Sequence, residues 1–309
     1  MQKSRKEIAV FGINNYLCKE KSVNTLYIMA QTIAILNGKG GVGKTTTAIN
    51  LGTALWIMNK KVLMVDADPQ CNLTVNVDRT AYNSGVNTLY EWMMDEDIDQ
   101  LPVYERYPGL DYVPASNRME SLNSWLVDKV RREDYLINRL ERISSNYDYI
   151  IIDCAPAVDS LLNLNVLVAT DGIIVPTRTD FFGVQSQGAM MAKVAEVRKV
   201  FRKPLPILGY LLTQWEKTKA DKEIRDYFKD DESVNLFRAP IRKCSACRSI
   251  QPRQMSLFEF DASTTAADDY MMLAEDILGI KVRPKTSTPR AWREKASKAY
   301  QDFISSQEE

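Results

Sequence analysis

A glycine-rich run that ends in Gly-Lys-Thr-Thr limits this chain to a small set of folds. The run fits the pattern G-x-x-x-x-G-K-[ST], in which backbone N–H groups surround the phosphates of a nucleotide. In this pattern Lys44 reaches the β- and γ-phosphates and the Thr45 hydroxyl holds Mg²⁺. The glycines let the backbone approach the phosphates, and the following helix directs its positive end at them. The loop comprises Gly38, Lys39, Gly40, Gly41, Val42, Gly43, Lys44, Thr45 and Thr46.

The residues on either side of this run predict the structure that such a loop requires. Residues 33–36 form a short apolar stretch typical of a buried strand, and residues 45–58 predict a helix. The strand–loop–helix order distinguishes a nucleotide-binding loop from a glycine-rich turn beside an exposed lysine. The sequence therefore predicts that a nucleotide binds here.

Strands and helices are predicted to alternate along the rest of the chain. Further strands are predicted at 61–65, 110–114, 149–152, 172–175 and 207–212, and helices at about 119–144, 183–200 and 220–228. Because the strand runs are continuously apolar, helices should cover both faces of the sheet. The fold class we expect is α/β with a doubly wound, mostly parallel sheet and functional residues at the carboxyl ends of its strands.

Aspartates follow two of these predicted strands. Asp66 and Asp68 come after strand 61–65, and Asp153 comes directly after strand 149–152. An aspartate in this position contributes to the magnesium shell of phosphate-loop enzymes, so we expect Asp153 to bind Mg²⁺ through water, opposite Thr45. A helix cap or an Asx-turn is the alternative role for either aspartate of the first pair.

Several of these segments resemble the ParA/Soj partition proteins, which belong to a superfamily of phosphate-loop NTPases with MinD and the nitrogenase iron protein. The resemblance covers about residues 30–279 and rests on Lys39 and on segments 45–52, 65–74, 148–156, 174–177, 182–185 and 267–275. It implies that ATP and Mg²⁺ are the cofactors and that Lys39 crosses the interface of an ATP-bound homodimer to touch the other copy's nucleotide. It also implies that Lys39, Lys44 and Asp68 are catalytic, with Asp68 orienting the attacking water. Thr45, Asp66 and Asp153 would form the magnesium shell.

The resemblance further implies a function in plasmid or chromosome segregation. ATP would drive a sandwich dimer onto nonspecific DNA, and a ParB-like centromere-binding protein would stimulate slow, dimer-dependent hydrolysis to ADP and phosphate. One segment departs from the family, because residues 213–217 replace an acidic-Pro-Arg stretch of the relatives. This departure leaves the adenine-contacting residues unassigned.

The charge balance limits how the chain could contact DNA. Forty basic and forty acidic residues give no net charge, so a DNA contact must come from a local patch or from dimerisation. The resemblance points to a late basic cluster, whose alternative reading is an ordinary solvated helix face. The cluster comprises Arg242, Lys243, Arg248 and Arg253.

The histidine and cysteine content limits which catalytic and metal sites the chain could have. The chain has no histidine, which excludes histidine-based catalysis and histidine-ligated metal. Cys244 and Cys247 have the spacing of half a zinc or redox site, but no second pair lies nearby in the sequence. We therefore expect structural or incidental thiols.

We expect three segments along the chain. They are an N-terminal extension (1–28), an ATPase domain (29–280), and a basic tail (281–309) with a short helix at about 290–304. The extension is either an added segment or lies upstream of the start that the cell uses. No apolar run approaches the roughly 20 residues that span a bilayer, and the N-terminus lacks a signal-peptide core. A cytoplasmic, nucleoid-associated protein is therefore expected.

Two other functions stay open at this point. A MinD-like ATPase that cycles on membranes would need an amphipathic C-terminal helix, and the end of this tail is too acidic and too poor in apolar residues for one. A nucleotide-sensing scaffold or repressor is the other alternative.

Overall fold

Long apolar runs form the strands of a central sheet in the computed structural model. It describes residues 29–280 except 84, 96, 180–186 and 232–233, together with positions 294, 297, 298, 301, 302 and 305. The N-terminal extension, most of the basic tail with its predicted helix, and the family-like segment 182–185 lie outside the described residues. The predicted division into three segments therefore stays a prediction.

Within the described residues, seven strands form one sheet in the order β3-β4-β2-β5-β1-β6-β7. Only β3 runs antiparallel, on the edge beside β4, and the other neighbours are parallel. The strands are β1 (Gln31–Ile35), β2 (Val62–Ala67), β3 (Tyr104–Tyr107), β4 (Leu110–Val113), β5 (Tyr149–Cys154), β6 (Gly172–Arg178) and β7 (Ile207–Thr213). The predicted α/β fold class is confirmed.

Helices cover both faces of this sheet. Successive residues of β1 show this directly, because Ala34 lies in one hydrophobic cluster while Ile33 and Ile35 lie in the other. The helices are α1 (Lys44–Ile57), α2 (Asn72–Val77), α3 (Arg79–Asn83), α4 (Leu89–Met94), α5 (Leu122–Val127), α6 (Tyr135–Glu141), α7 (Leu161–Ala169), α8 (Gln187–Phe201), α9 (Lys219–Asp230), α10 (Ala246–Ser249), α11 (Leu257–Asp261) and α12 (Thr265–Ile277). Among the described residues, no helix is long and apolar enough to cross a membrane.

Helix α1 packs tightly between the sheet and α12, and nearly all of its residues are buried. A Cβ atom on Gly52 would lie 2.9 Å from the sulfur of Met64 on β2, so only glycine allows this approach without a shift. The close packing fixes α1, and with it the loop from which the helix starts.

One predicted helix was wrong, and one strand was not predicted. The helix predicted at 119–144 is divided into a 3₁₀ turn (Asn117–Ser121), α5 and α6. The break at 128–134 is highly polar, and its one aliphatic residue, Val130, is 85% exposed, so the segment has no apolar face to bury. Strand β3 was missed because it has only four residues, pairs irregularly with β4 and lacks a clear apolar period.

Candidate functional site

The predicted phosphate loop and the aspartates meet at the carboxyl ends of three neighbouring strands. In the sheet β5 lies between β2 and β1, and Asp153 is in register with both Asp66 and Ile35. Parallel strands place their carboxyl ends on one edge, where ligands of such sheets bind. Asp66 and Asp153 belong to the last residues of their strands rather than to the loops beyond, so the ladder holds them side by side.

Left-handed glycines shape the loop between β1 and α1. Gly41 has a φ of 71° and Gly43 a φ of 91°, a conformation that other residues adopt only with strain. Gly43 immediately precedes α1, and no side chain caps the helix there. The first N–H groups of the helix are therefore available to bind an anion, as the phosphate-loop pattern predicts.

Lys44 lies inside the loop rather than in solvent. It is 7% exposed, and its Nζ donates to the backbone oxygen of Lys39 over 3.0 Å. Burial lowers the pKa of Lys44, while the nearby carboxylates Asp153 and Asp68 oppose this shift. A partly desolvated ammonium group at this position would interact strongly with phosphate oxygens.

Asn37 fixes the start of the loop, a role that our sequence analysis missed. Its side chain is 1% exposed and bridges two strands, because Nδ2 donates to the backbone oxygen of Pro176 over 2.7 Å. Its Oδ1 accepts the N–H of Lys39 over 2.9 Å. A lone asparagine directly before a glycine-rich loop gives no distinctive sequence signal, so only the fold reveals this contact.

The end of β7 holds the outer part of the loop. The Thr213 hydroxyl donates to the backbone oxygen of Val42 over 2.9 Å, and the Gln214 amide donates to that of Gly41 over 3.0 Å. These residues begin the segment 213–217 that departs from the family pattern. The difference from the family pattern was the only signal in the sequence that marked this segment. In the structure the segment supports the phosphate loop through these two hydrogen bonds.

Asp66 and Asp68 both form the turns that were the alternative reading of the pair. Asp66 is fully buried and accepts the N–H of Asp68 (3.2 Å) and both the N–H (2.8 Å) and the hydroxyl (2.7 Å) of Thr74. Asp68 accepts the N–H of Gln70 at 2.9 Å. Burial raises the pKa of Asp66 to about 6, against the lowering effect of the Thr74 hydrogen bonds. Asp66 therefore anchors helix α2 to this edge of the sheet.

Asp153 differs from Asp66 and Asp68 because no described residue meets its carboxylate in hydrogen-bonding geometry. It is fully buried, and among the described residues neither carboxylate oxygen has a partner in hydrogen-bonding geometry. Burial and then Asp66 raise its pKa well above the usual range, whereas the nearby Thr45 hydroxyl and Lys44 ammonium group lower it. A buried carboxylate without partners is costly, and a bound cation or ordered water would satisfy it.

These residues fit a hydrated Mg²⁺ ion. Mg²⁺ prefers oxygen ligands and is typically held by one or two protein groups together with waters and substrate phosphates. The carboxylate of Asp153, which has no partner among the described residues, and the Thr45 hydroxyl lie close together at the carboxyl end of the sheet. Their role as metal-binding residues stays a prediction.

Lys39 stands at the start of the loop and is half-buried. Its backbone takes part in both contacts described above, with Asn37 and with Lys44. The structure contains a single chain, so its predicted reach to a second copy's nucleotide stays a prediction.

The four basic residues predicted to contact DNA fall into two kinds. Arg242 forms a forked ion pair with buried Asp269, at 2.7 Å for its closest contact, and Lys243 pairs with Glu216 over 2.8 Å. Arg248 and Arg253 are exposed, and each belongs to a short helical turn in the segment between β7 and α12. Lys243 is also exposed, with 51% of its side chain accessible, and its ion pair lies at the surface. Arg248 and Arg253 are the two exposed members of the cluster that form no ion pair with a described residue.

Cys244 and Cys247 are free, half-buried thiols in the same segment. The N–H of Cys247 donates to the backbone oxygen of Cys244 over 3.2 Å, which places both on one turn. Burial raises the pKa of Cys247 to about 11, so its reactive thiolate is scarce near neutral pH. Our expectation of structural or incidental thiols stays a prediction.

The chain is similar in sequence to several known proteins. Residues 30–207 match the family model described as an AAA domain. The sporulation initiation inhibitor protein Soj of Bacillus subtilis is 32% identical over 257 residues, which span 81% of this chain and 98% of Soj. The chromosome partitioning protein ParA of Caulobacter vibrioides is 32% identical over 258 residues, which span 80% of this chain and 94% of that protein.

A solved structure shares the fold at a greater distance in sequence. It is the cobyrinic acid a,c-diamide synthase of Mycobacterium smegmatis with a bound ATP analogue and magnesium. The TM-score is 0.70 at 25% identity, and the match covers 81% of this chain and 94% of the synthase. The fold therefore occurs in proteins of different named activities, whereas the sequence relatives align over almost their whole lengths. On that evidence, this chain belongs to the ParA/Soj family of phosphate-loop ATPases.

Proposed function

We propose that this protein is an Mg²⁺-dependent ATPase whose ATP-bound homodimer binds nonspecific DNA and segregates a plasmid or chromosome region. The observation that carries the ATPase chemistry is the buried carboxylate of Asp153, which has no hydrogen-bond partner among the described residues and lies near Thr45 and Lys44. This arrangement is costly in an empty protein and useful in one that binds a metal–nucleotide complex.

Each residue of the site would have a separate role in phosphoryl transfer. Lys44 and the N–H groups of the loop would bind the β- and γ-phosphates, while Thr45 and, through water, Asp153 would hold Mg²⁺, with Asp66 close by. This site would supply neutralisation of the charge on the phosphate oxygens when Mg²⁺ is bound. Asp68 orients the attacking water from the turn that it forms with Gln70. Phosphoryl transfer depends mainly on charge neutralisation and alignment of the reacting groups, which these residues supply.

Lys39 makes hydrolysis depend on a second copy of the chain. It would touch the γ-phosphate bound by that copy, so that turnover is slow and requires a dimer. The exterior of the loop supports a close approach, because a Cβ atom placed on Gly40 would have nothing within 4 Å. ATP would thus convert monomers into dimers, and hydrolysis would reverse the change.

Binding to nonspecific DNA would use the exposed Arg248 and Arg253. Arginines that contact phosphates give sequence-independent, salt-sensitive binding, which suits movement over the nucleoid. A dimer would double this charge in a chain that is neutral overall. We further propose that a ParB-like centromere-binding protein stimulates hydrolysis and releases the dimer, as the kinship with ParA and Soj suggests.

The first test is the rate of ATP hydrolysis with and without nonspecific DNA, at low and at moderate salt. Stimulation that falls with salt, or retention of DNA only with ATP, is the expected result. Lys44→Ala serves as the control, because loss of nucleotide binding should remove both effects. Hydrolysis that is indifferent to DNA at every salt concentration would refute the DNA-binding part and leave the ATPase part standing.

A further inference from the structure

Helix α2 is a short helix that follows the turn containing Asp66 and Asp68. Its residue Thr74 gives both its N–H (2.8 Å) and its hydroxyl (2.7 Å) to Asp66, and the same hydroxyl oxygen accepts the N–H of Ala115 over 2.8 Å. Cys71, just before the helix, has a φ of 55°, a strained value for a residue other than glycine. Any change in the turn that holds Asp66 and Asp68 therefore acts directly on α2.

The other end of α2 is held by Arg106, on edge strand β3. Its guanidinium group donates to the backbone oxygens of Val77 (2.9 Å) and Gln254 (2.8 Å) and to the Glu259 carboxylate (2.8 Å). The side chain of Arg106 is 18% exposed and that of Glu259 is 8% exposed. We call these four residues the Arg106 junction. It joins the last residue of α2 to the segment that follows Arg253.

A second contact ties the same late segment to the phosphate loop. Asn50 of α1 is fully buried, its Nδ2 donates to the backbone oxygen of Thr46 over 2.8 Å, and its Oδ1 accepts the N–H of Leu257 over 2.8 Å. Residues 245–261, which carry Arg248 and Arg253, are thus attached to both nucleotide-binding loops. One attachment runs through rigid α1, and the other runs through α2 and the Arg106 junction.

We propose that Arg106 is a positioning residue through which the Asp66–Asp68 turn controls the presentation of Arg248 and Arg253 to DNA phosphates. The inference rests on the proposed function, because it requires DNA to bind at this segment. Nucleotide and cation would relieve the mutual repulsion of the carboxylates at the sheet edge and shift the turn. Since α1 is fixed by close packing, a displacement of α2 relative to α1 reaches the basic segment through Arg106. The same linkage makes DNA binding favour the ATP-bound turn.

The test measures the ratio of DNA affinity with a non-hydrolysable ATP analogue to that without nucleotide. Arg106→Lys is the informative variant, because lysine keeps the charge opposite Glu259 but lacks the planar fork that reaches all three acceptors. We expect this ratio to fall by roughly 2- to 30-fold. Gln254→Gly keeps the backbone oxygen that accepts from Arg106 and removes the side chain whose Oε1 accepts the N–H of Arg79 over 2.7 Å, and glycine suits the φ of 56° there. It should leave the ratio at its wild-type value, because the Arg106 junction stays intact.

Tyr107→Phe is the matched control. Tyr107 is the next residue along β3, its hydroxyl donates to the same Glu259 carboxylate, and its ring stacks on Trp56. The substitution removes a hydrogen bond at the junction but leaves the link from Arg106 to Val77 intact. We expect it to lower the thermal unfolding temperature while the affinity ratio stays at its wild-type value.

The failures of this inference and of the proposed function are distinguishable. If the double variant Arg248→Glu, Arg253→Glu binds DNA like the wild type, the proposed DNA surface is wrong and the inference falls with it. If the double variant loses DNA binding but Arg106→Lys keeps the full dependence on ATP, only the inference is overturned. An equal loss of the ratio in Tyr107→Phe would overturn it as well, because the effect would then reflect general damage to β3.

Discussion

Asp153→Asn should stabilise the nucleotide-free protein while abolishing its activity. The carboxylate of Asp153 is fully buried, has no hydrogen-bond partner among the described residues and lies beside Asp66 in the sheet. An amide is uncharged, so both the desolvation cost and the repulsion by Asp66 are reduced. The free energy of unfolding should rise by about 1–3 kcal/mol at pH 8, the usual cost of a buried unsatisfied polar group.

The stability that Asp153→Asn gains over the wild type should increase with pH. The pKa of Asp153 in the folded protein lies above its unfolded value of about 4. Below about pH 4 the carboxyl group is neutral in both states, so the wild type carries no buried charge. As the pH rises from there through the folded pKa, the wild type loses stability because the buried group must ionise. The difference between variant and wild type should therefore be small near pH 4 and grow towards pH 8.

Thermal unfolding across this pH range measures the effect. A domain of this size shifts by about 2–4 °C per kcal/mol, so the unfolding temperature of Asp153→Asn should rise by roughly 2–12 °C at pH 8. Mg²⁺-dependent hydrolysis should fall at least ~100-fold in the same preparation. The reasoning is refuted if the variant is no more stable than the wild type at pH 8, or if the difference does not change with pH.

Asp171→Asn is the matched control for this experiment. Burial also raises the pKa of Asp171, but its carboxylate accepts the N–H of Thr32 over 2.8 Å and lies near Lys203, which opposes the shift. Because this carboxylate already has partners, its removal should not stabilise the protein. A rise in stability equal to that of Asp153→Asn would show that any buried aspartate gives the effect.

Three further predictions concern the loop and its turn. Asp68→Ala should bind ATP and accumulate as a dimer in size-exclusion chromatography while phosphate release falls by ~10²–10⁴-fold; normal hydrolysis would disprove its role. Gly40→Val should fold and bind ATP, since a Cβ there meets nothing within 4 Å, but should fail to dimerise in light scattering; an intact ATP-induced dimer would contradict close approach of the loops. Asn37→Ala loses its hydrogen bonds to Pro176 and Lys39, so we expect unfolding by denaturant to show a loss of about 1–3 kcal/mol and a fluorescent ATP analogue to bind more weakly. Wild-type values in both assays would show that Asn37 is not needed to hold the loop.

Much of the fold could be predicted from local sequence patterns. The errors of that prediction have physical reasons. Continuously apolar runs predicted the central strands, because a parallel sheet covered on both faces needs such runs. The break between α5 and α6 was missed because its polar residues have adequate helix propensity and only the lack of a surface to cover excludes them. Strand β3 was missed because an edge strand of four residues gains most of its stability from β4, not from its own sequence.

The phosphate loop, the aspartates and the family could be predicted from the sequence, because each is marked by a short motif with fixed spacing. The partners of these groups became known only from the folded chain. Asp66 accepts hydrogen bonds from Thr74, whereas Asp153 has no hydrogen-bond partner among the described residues. Arg242 is paired with Asp269, whereas Arg248 is exposed. Likewise, Arg106 meets Gln254 across 148 residues of sequence. Burial and pairing between distant residues arise only when the strands assemble, so no local pattern could have revealed them.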